Sequence, residues 1–285
     1  MTRFGPAGNC EAFAAAGYKS SANIPGFIAG YGLDAYEYQC GRGVRLSDAT
    51  ALALRSEAEK HGVQLSLHAP YFISLASDDP QKRENSIRYI LESADAVARL
   101  GGDRIVVHPG GLGGLSREGA TALACETLTR AQQALDDAGL SQVHICPETM
   151  GKIGQLGNFE EIMTMCGVDE RFIPTIDFGH LNSRTHGSIA TKADYAALLD
   201  RLADALGVER AAQFHSHFSK IEYTEGGEKR HLTFADTVFG PEPAPLMELI
   251  AERGWSPTFI CESAGTQTAD AAKMRGLWLN ATKNA

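Results

Sequence analysis

Strand-like and helix-like segments alternate along this chain from end to end, and that alternation limits the fold more than any other feature. Eight short stretches, most of them apolar, read as buried strands: Thr2–Gly5, Leu33–Gln39, Gln64–His68, Arg104–His108, Val143–Glu148, Ile173–Asp177, Gln213–His217 and Thr258–Glu262. Their ends, counted at Gly5, Glu37, His68, His108, Glu148, Asp177, His217 and Glu262, fall 29 to 45 residues apart. Helical patterns lie between them, over Leu46–His61, Pro80–Leu100, Ser116–Ala138, Asn158–Cys166, Thr191–Leu206, Pro245–Arg253 and Thr268–Leu279. In Pro80–Leu100, the residues Ile87, Ile90, Leu91, Ala94, Val97 and Ala98 recur at helical spacing, and the Gly101-Gly102 pair stops the helix. Ser116 reads as an N-cap, as does Ser47 or Asp48. No Pro/Ser-rich linker or break in composition divides the 285 residues. Eight β/α units in one chain predict the α/β class and a single (β/α)8 TIM barrel over residues 1–285, with its active site at the C-terminal ends of the strands. An open doubly wound sheet is the rival, but it rarely needs ligand-type residues on so many strand ends.

The strand ends carry the functional signal. His, Asp and Glu make up 44 of the 285 residues, so composition alone puts one of them on about one of eight strand ends. Seven are found: Glu37, His68, His108, Glu148, Asp177, His217 and Glu262. Burying such groups without partners costs several kcal/mol each. A cluster of divalent cations at a shared mouth is the simplest arrangement that holds them. In Asp177–His180 (DFGH), an Asp at a strand end and a His three residues later offer ligands to two different ions from one turn. Four histidines (His68, His108, His180, His217) and three acids (Glu148, Asp177, Glu262) exceed what one tetrahedral ion needs. Two or three ions are implied. The histidine-rich set favours zinc, or manganese and iron, over magnesium. Ions roughly 3.5–4 Å apart clamp the attacking and leaving oxygens of an in-line phosphoryl displacement.

Other residues read differently. His61, at a helix C-terminus, is a surface residue, and His144 alternates away from the mouth. His186 and His215 are expected to support ligands rather than bind an ion. Glu37 reads as a salt-bridge or substrate-contacting residue. Tyr71 and Phe72 are either a hydrophobic lid or a wedge for a nucleic-acid stack. Two polar, glycine-rich loops, Pro109–Ser116 and Glu222–Arg230, would lie over the mouth. The first lacks the GK[ST] ending of a phosphate-binding loop, so no nucleotide cofactor is expected.

A net charge of −9 argues against non-specific polyanion binding, although bound cations would reverse the field locally. No apolar stretch approaches the roughly 20 residues that cross a bilayer, and Met1–Cys10 has no signal-peptide pattern. The six cysteines form no CxxC pair, which fits a reducing cytoplasm. A cytoplasmic monomer without membrane contact is expected.

The ordered segments Leu67–Ser77 (LHAPYFISLAS), Val106–Gly110 (VVHPG), Pro147–Gly151 (PETMG), Thr175–His180 (TIDFGH), His217 and Cys261–Gly265 (CESAG) resemble the endonuclease IV family of apurinic/apyrimidinic endonucleases. Proteins of that family are TIM barrels with three ions, normally zinc, that cut DNA on the 5′ side of an abasic site in base excision repair. The resemblance implies a DNA-binding hydrolase acting on damaged double-stranded DNA. It implies that His68, His108 and Glu148 hold one ion, and that Glu148, Asp177, His217 and Glu262 hold a second, with Glu148 bridging. It places His180 and His231 at a third, puts Glu148 and Glu262 in catalytic roles, and makes Tyr71, Phe72 and Arg42 DNA contacts. This chain departs from the family in three places. Lys229 stands where the third ion's Asp belongs, so that either Glu228 takes over or the third ion is weak or absent; Gly5–Gly8 lacks a His; and Phe218-Ser219-Lys220 replaces Leu-Asn-Asp. A metal-dependent sugar isomerase or epimerase of the xylose isomerase-like superfamily is the alternative, and a barrel that binds metal without catalysis is a third reading.

Overall fold

The fold, taken from a computed structural model, is described over residues 1–283. Ten strands occur among these residues: β1 (Arg3–Pro6), β2 (Ala35–Gln39), β3 (Gln64–His68), β4 (Arg104–Val107), β5 (His144–Pro147), β6 (Thr175–Asp177), β7 (His215–Phe218), β8 (Ile221–Thr224), β9 (Gly227–His231) and β10 (Thr258–Cys261). Two parallel four-stranded arcs form, in the orders β1-β10-β7-β6 and β2-β3-β4-β5. Parallel bridges Ala7–Glu37 and Glu148–Thr175 join the arcs at both seams. The result is the expected closed ring of eight parallel strands, surrounded by helices. Asn284 and Ala285, part of the expected domain, lie outside the described residues.

The helices form for local reasons that the sequence states. Asp79 accepts a hydrogen bond from the Gln81 N–H, Pro80 fits the first turn, and Gly101 ends Pro80–Leu100 at φ 78°, a left-handed conformation that costs a side-chain-bearing residue energy. The buried face includes Ile87, Ile90, Ala94, Val97 and Leu100. Each large aliphatic side chain there stabilises by about 1.5–3 kcal/mol. Phe4 on β1 stacks on Phe259 of β10 with centroids 5.5 Å apart, tying the seam of the first arc to the aromatic core.

Some expectations need correction. The stretch Glu222–Arg230 is not a loop. It is most of an antiparallel hairpin, β8–β9, turning at Glu225-Gly226. The Glu-Gly-Gly run between alternating residues was a readable hairpin signal. Backbone bonds from Ile153 N to Gly226 O (3.1 Å) and Glu228 N to Gly151 O (3.2 Å) pin the hairpin to the segment after β5. Short helices Glu11–Ala15, Ile24–Ala29, Phe178–Arg184 and Val208–Ala211 were not expected; each has seven residues or fewer, too short for a helical period to show. The interior of the ring is polar: Glu37, Ser66, His215 and His217 are all buried there.

Candidate metal centre

Strand geometry delivers the ligand-type residues to one end of the ring. His68 is the last residue of β3, Asp177 the last of β6, and His217 the third of β7. His108, Glu148 and Glu262 each follow directly on β4, β5 and β10. Three groups result at this end, the first two overlapping: His68, Glu148 and His217; Glu148, Asp177, His217 and Glu262; and His180, Glu228 and His231. His108 joins the first, with Nε2 3.1 Å from His68 Nε2 and 3.0 Å from Glu148 Oε2. His68 Nε2 lies 3.4 Å from the same oxygen. Ligands held ~2.0–2.1 Å from one tetrahedral zinc lie about 3.3 Å from one another, so these spacings are those of a coordination shell.

The second group is built around His217, whose Nδ1 is 3.1 Å from Glu148 Oε1 and 3.6 Å from Glu262 Oε2. Glu148 thus offers one oxygen to each group. Asp177 caps the helix Phe178–Arg184, where Oδ1 accepts from the His180 N–H at 2.7 Å. That cap aims Oδ2 at the cluster and sets the His180 ring beside it. His180 Nε2 lies 3.5 Å from Glu228 Oε2, and His231 Nε2 lies 3.8 Å from Glu228 Oε1. Glu228, not Lys229, therefore occupies the third group.

Tautomers are set from behind. His68 Nδ1 sits 2.8 Å from the Ala69 carbonyl and His180 Nδ1 sits 2.9 Å from that of Thr149. In both rings Nδ1 carries the hydrogen, which leaves the Nε2 lone pair facing the cluster. Ser219 Oγ lies 2.8 Å from His231 Nδ1, so the serine in a position that departs from the family pattern orients a ligand-type ring.

These residues fit divalent cations. Glu148 Oε2 and Asp177 Oδ2 are buried with no hydrogen-bond donor. The His68 and His108 nitrogens stand within 3.4 Å of Glu148 Oε2, yet no well-aligned hydrogen bond reaches that oxygen. Lone pairs facing one another at this range need positive charge between them. Without ions, protons supply it. Burial disfavours a charged His217, but Glu262, Glu37 and Glu148 outweigh burial and push it well above the ordinary histidine value. Burial likewise opposes charge on His180, and Asp177 with Glu148 and Glu228 raises it to about 10. Burial pushes Glu148 up, but His217 and His108 more than offset it and hold it well below the usual carboxylate range. For Asp177, burial together with Glu262 and Glu148 raises the carboxyl, although His180 opposes them.

The cluster floors a cavity of about 560 Å³ whose wall includes Tyr71, Lys152, Gln155 and Gln267. Tyr71 and Phe72 are 59% and 56% exposed. Tyr71 leans over the histidines, its centroid 5.6 Å from His68 and 5.5 Å from His108, while Phe72 stands farther out against Tyr89. Arg42 is exposed and lines a separate shallow depression of about 200 Å³. Its loop touches the cavity through Gly41, whose carbonyl accepts from the Tyr71 N–H. His61 lies on the surface beside Glu57, and His144 is tied to the Arg171 carbonyl.

His215 is buried behind the cluster, but His186 is exposed and bonded to the Glu225 carbonyl, so it supports no ligand. Lys220 does not face the cavity; it is buried against Glu242 and the Asp236 carbonyl. Sequence reasoning missed Lys152. An exposed lysine in a loop carries no periodic signal, and only the cavity wall marks it out.

The profile of the xylose isomerase-like TIM barrel family matches residues 26–281. An uncharacterized protein of Methanocaldococcus jannaschii is 32% identical over 81% of this chain and 82% of its own length. A probable endonuclease 4 of Bifidobacterium longum is 28% identical over 80% of this chain and 82% of its own. Endonuclease IV of Thermus thermophilus superposes with a TM-score of 0.71 at 21% identity, covering 99% of this chain and 100% of that one. A D-tagatose 3-epimerase-like protein superposes with a TM-score of 0.72 at 19% identity, covering 99% of each. The chain belongs to the xylose isomerase-like TIM barrel family, and among its relatives are probable endonuclease 4 proteins.

Proposed function

We propose that this protein is a metal-dependent phosphodiester hydrolase that cuts damaged DNA 5′ to abasic sites. One observation carries the reading: Glu148 serves two adjacent ligand groups at once, and His68 and His108 complete the first. The six residues of these two groups exceed the four ligands that a single tetrahedral ion needs. Divalent ions, zinc by ligand softness, would be held by His68, His108 and Glu148, by Glu148, Asp177, His217 and Glu262, and by His180, Glu228 and His231. When bound, such ions activate water and neutralise the charge that develops on phosphate.

The chain's own residues supply the remaining chemistry. Glu148 fixes the spacing of the first two groups. Glu262 is 17% exposed, whereas Glu148 and Asp177 are fully buried, so it is the acid of its quartet that reaches the cavity. It takes the proton as the water oxygen bonds to phosphorus and the bond from phosphorus to the 3′ oxygen breaks. The leaving oxygen is then protonated from solvent. Lys152 lines the cavity wall, where its ammonium would attract a phosphate. Phe72 and Tyr71 present apolar rings at the rim, in reach of an unstacked helix at a lesion. In the test, purified protein supplied with zinc or manganese is given a duplex with one abasic site. Nicking is expected, and Glu148→Gln is expected to abolish it with the fold intact. An unchanged rate in Glu148→Gln removes this mechanism.

A second reading, a sugar isomerase or epimerase, is favoured by the cavity volume of about 560 Å³, which suits a small molecule. It predicts one ion per chain and turnover of ketoses without DNA binding.

A further inference from the structure

Beneath the cluster lies a second layer of buried polar residues. In β7, His215 and His217 are two residues apart, so both rings fall on the same face of the strand. Glu37 of β2 lies across the ring interior and receives both. His217 Nε2 is 2.9 Å from Glu37 Oε1, and His215 Nε2 is 2.9 Å from Oε2. Ser66, paired with Glu37 in the β2–β3 register, donates its hydroxyl to Oε2 at 3.0 Å. Gln39 donates its amide to Oε1 at 3.1 Å. Glu37, His215 and His217 are all 0% exposed.

A carboxylate has about four acceptor sites, and all four are used here. Glu37 therefore has no lone pair to give a metal ion, which argues against an additional ion at the Glu37, His215 and His217 group. A bound carboxylate oxygen also needs a hydrogen on His217 Nε2. With Nε2 so fixed, Nδ1 is the atom left for coordination, and it is Nδ1 that faces Glu148 and Glu262. This is the reverse of His68 and His180, where backbone carbonyls take Nδ1–H.

We propose that Glu37 is a positioning residue that locks His217 as an Nδ1 ligand, with His215 and Ser66 holding the Glu37 carboxylate in place. The inference rests on the metal reading of the mouth and adds to it the device that sets its central ring. Carboxylate support of this kind is worth roughly 10–100-fold in metal affinity.

The test has two parts. Nitrogen-15 NMR of the zinc-loaded, unmutated protein reads the His217 tautomer directly. A hydrogen on Nε2 with zinc on Nδ1 is expected; a hydrogen on Nδ1 with zinc on Nε2 overturns the proposal. This part does not depend on any variant folding. In the second part, zinc affinity is measured by chelator competition for the unmutated protein and for Glu37→Gln, with circular dichroism confirming the fold. The amide presents a hydrogen to one of the two imidazoles, so zinc affinity should fall about 10–100-fold. Unchanged affinity in folded Glu37→Gln sinks the positioning role and leaves the metal centre standing. Failure of the unmutated protein to bind zinc at all sinks the metal reading and this inference with it.

Discussion

Gly151 offers a way to damage the third ligand group without removing a ligand. A Cβ at this position would lie 2.7 Å from Glu228 Cβ, 2.9 Å from Glu228 Oε2 and 2.9 Å from His180 Cδ2. Ordinary contact begins near 3.4 Å, so Gly151→Ala must drive these atoms back by at least about 0.5 Å. Neither partner retreats freely. Glu228 is pinned by β9 pairing and by its N–H to the Gly151 carbonyl, and His180 is held by the Thr149 carbonyl. Metal–ligand distances tolerate about 0.2 Å, less than half the required shift. Affinity at the His180, Glu228 and His231 group should therefore fall at least 10-fold, with an overpacking cost of about 1–3 kcal/mol. Gly154→Ala, in the same segment, is the control, because its Cβ would meet nothing within 4 Å. The assay is elemental analysis of dialysed protein, with chelator titration and urea unfolding alongside. One ion fewer per chain is expected in Gly151→Ala, and none fewer in Gly154→Ala. If Gly151→Ala keeps every ion at unmutated affinity, the geometric argument for the third group is wrong.

Four further outcomes follow from the structure. His180, raised to about 10 against burial by Asp177, Glu148 and Glu228, holds a proton in the metal-free protein at pH 7, and a bound ion must expel it. Affinity at that group should rise by about one log unit per pH unit toward 10, and calorimetry in buffers of different ionisation enthalpy should show proton release; a pH-independent affinity contradicts this. In the metal-free protein the stability from this raised histidine is full below pH 6.5 and lost as pH rises through about 10. Removing the ions should lower the unfolding temperature, since each site at 1,000 times its Kd adds about 4 kcal/mol; identical melting with and without chelator would refute it. Far from the ligands, Glu161 accepts from the N–H groups of Gly157 and Asn158 and pairs with Arg117, so Glu161→Ala should cost about 3 kcal/mol in urea unfolding while leaving metal content unchanged; a loss below about 1 kcal/mol would contradict that.

The barrel was legible because each β/α unit repeats the same two periods. His68, His108, Glu148, Asp177, His217 and Glu262 were legible because strand ends rarely carry such residues. Glu37 forms the salt bridges expected of it, but their partners were not legible. Its partners His215 and His217 lie about 180 positions away, and only closure of the ring brings them together. Glu228 was legible only as a substitute for a missing Asp, since its place depends on the β8–β9 hairpin. Only its Glu-Gly-Gly turn signals that hairpin, because its mostly polar strands contain no apolar run. His186 was misread because it follows a helix too short to show in the sequence, Phe178–Arg184, and turns outward to the Glu225 carbonyl.

Anomalous diffraction from crystals grown with zinc tests the centre most directly. Peaks are expected on both sides of Glu148, about 3.5–4 Å apart, one among His68 and His108 and the other among Asp177, His217 and Glu262. A zinc-soaked crystal with no peak beside Glu148, or with the histidines paired only to carboxylates, would contradict it.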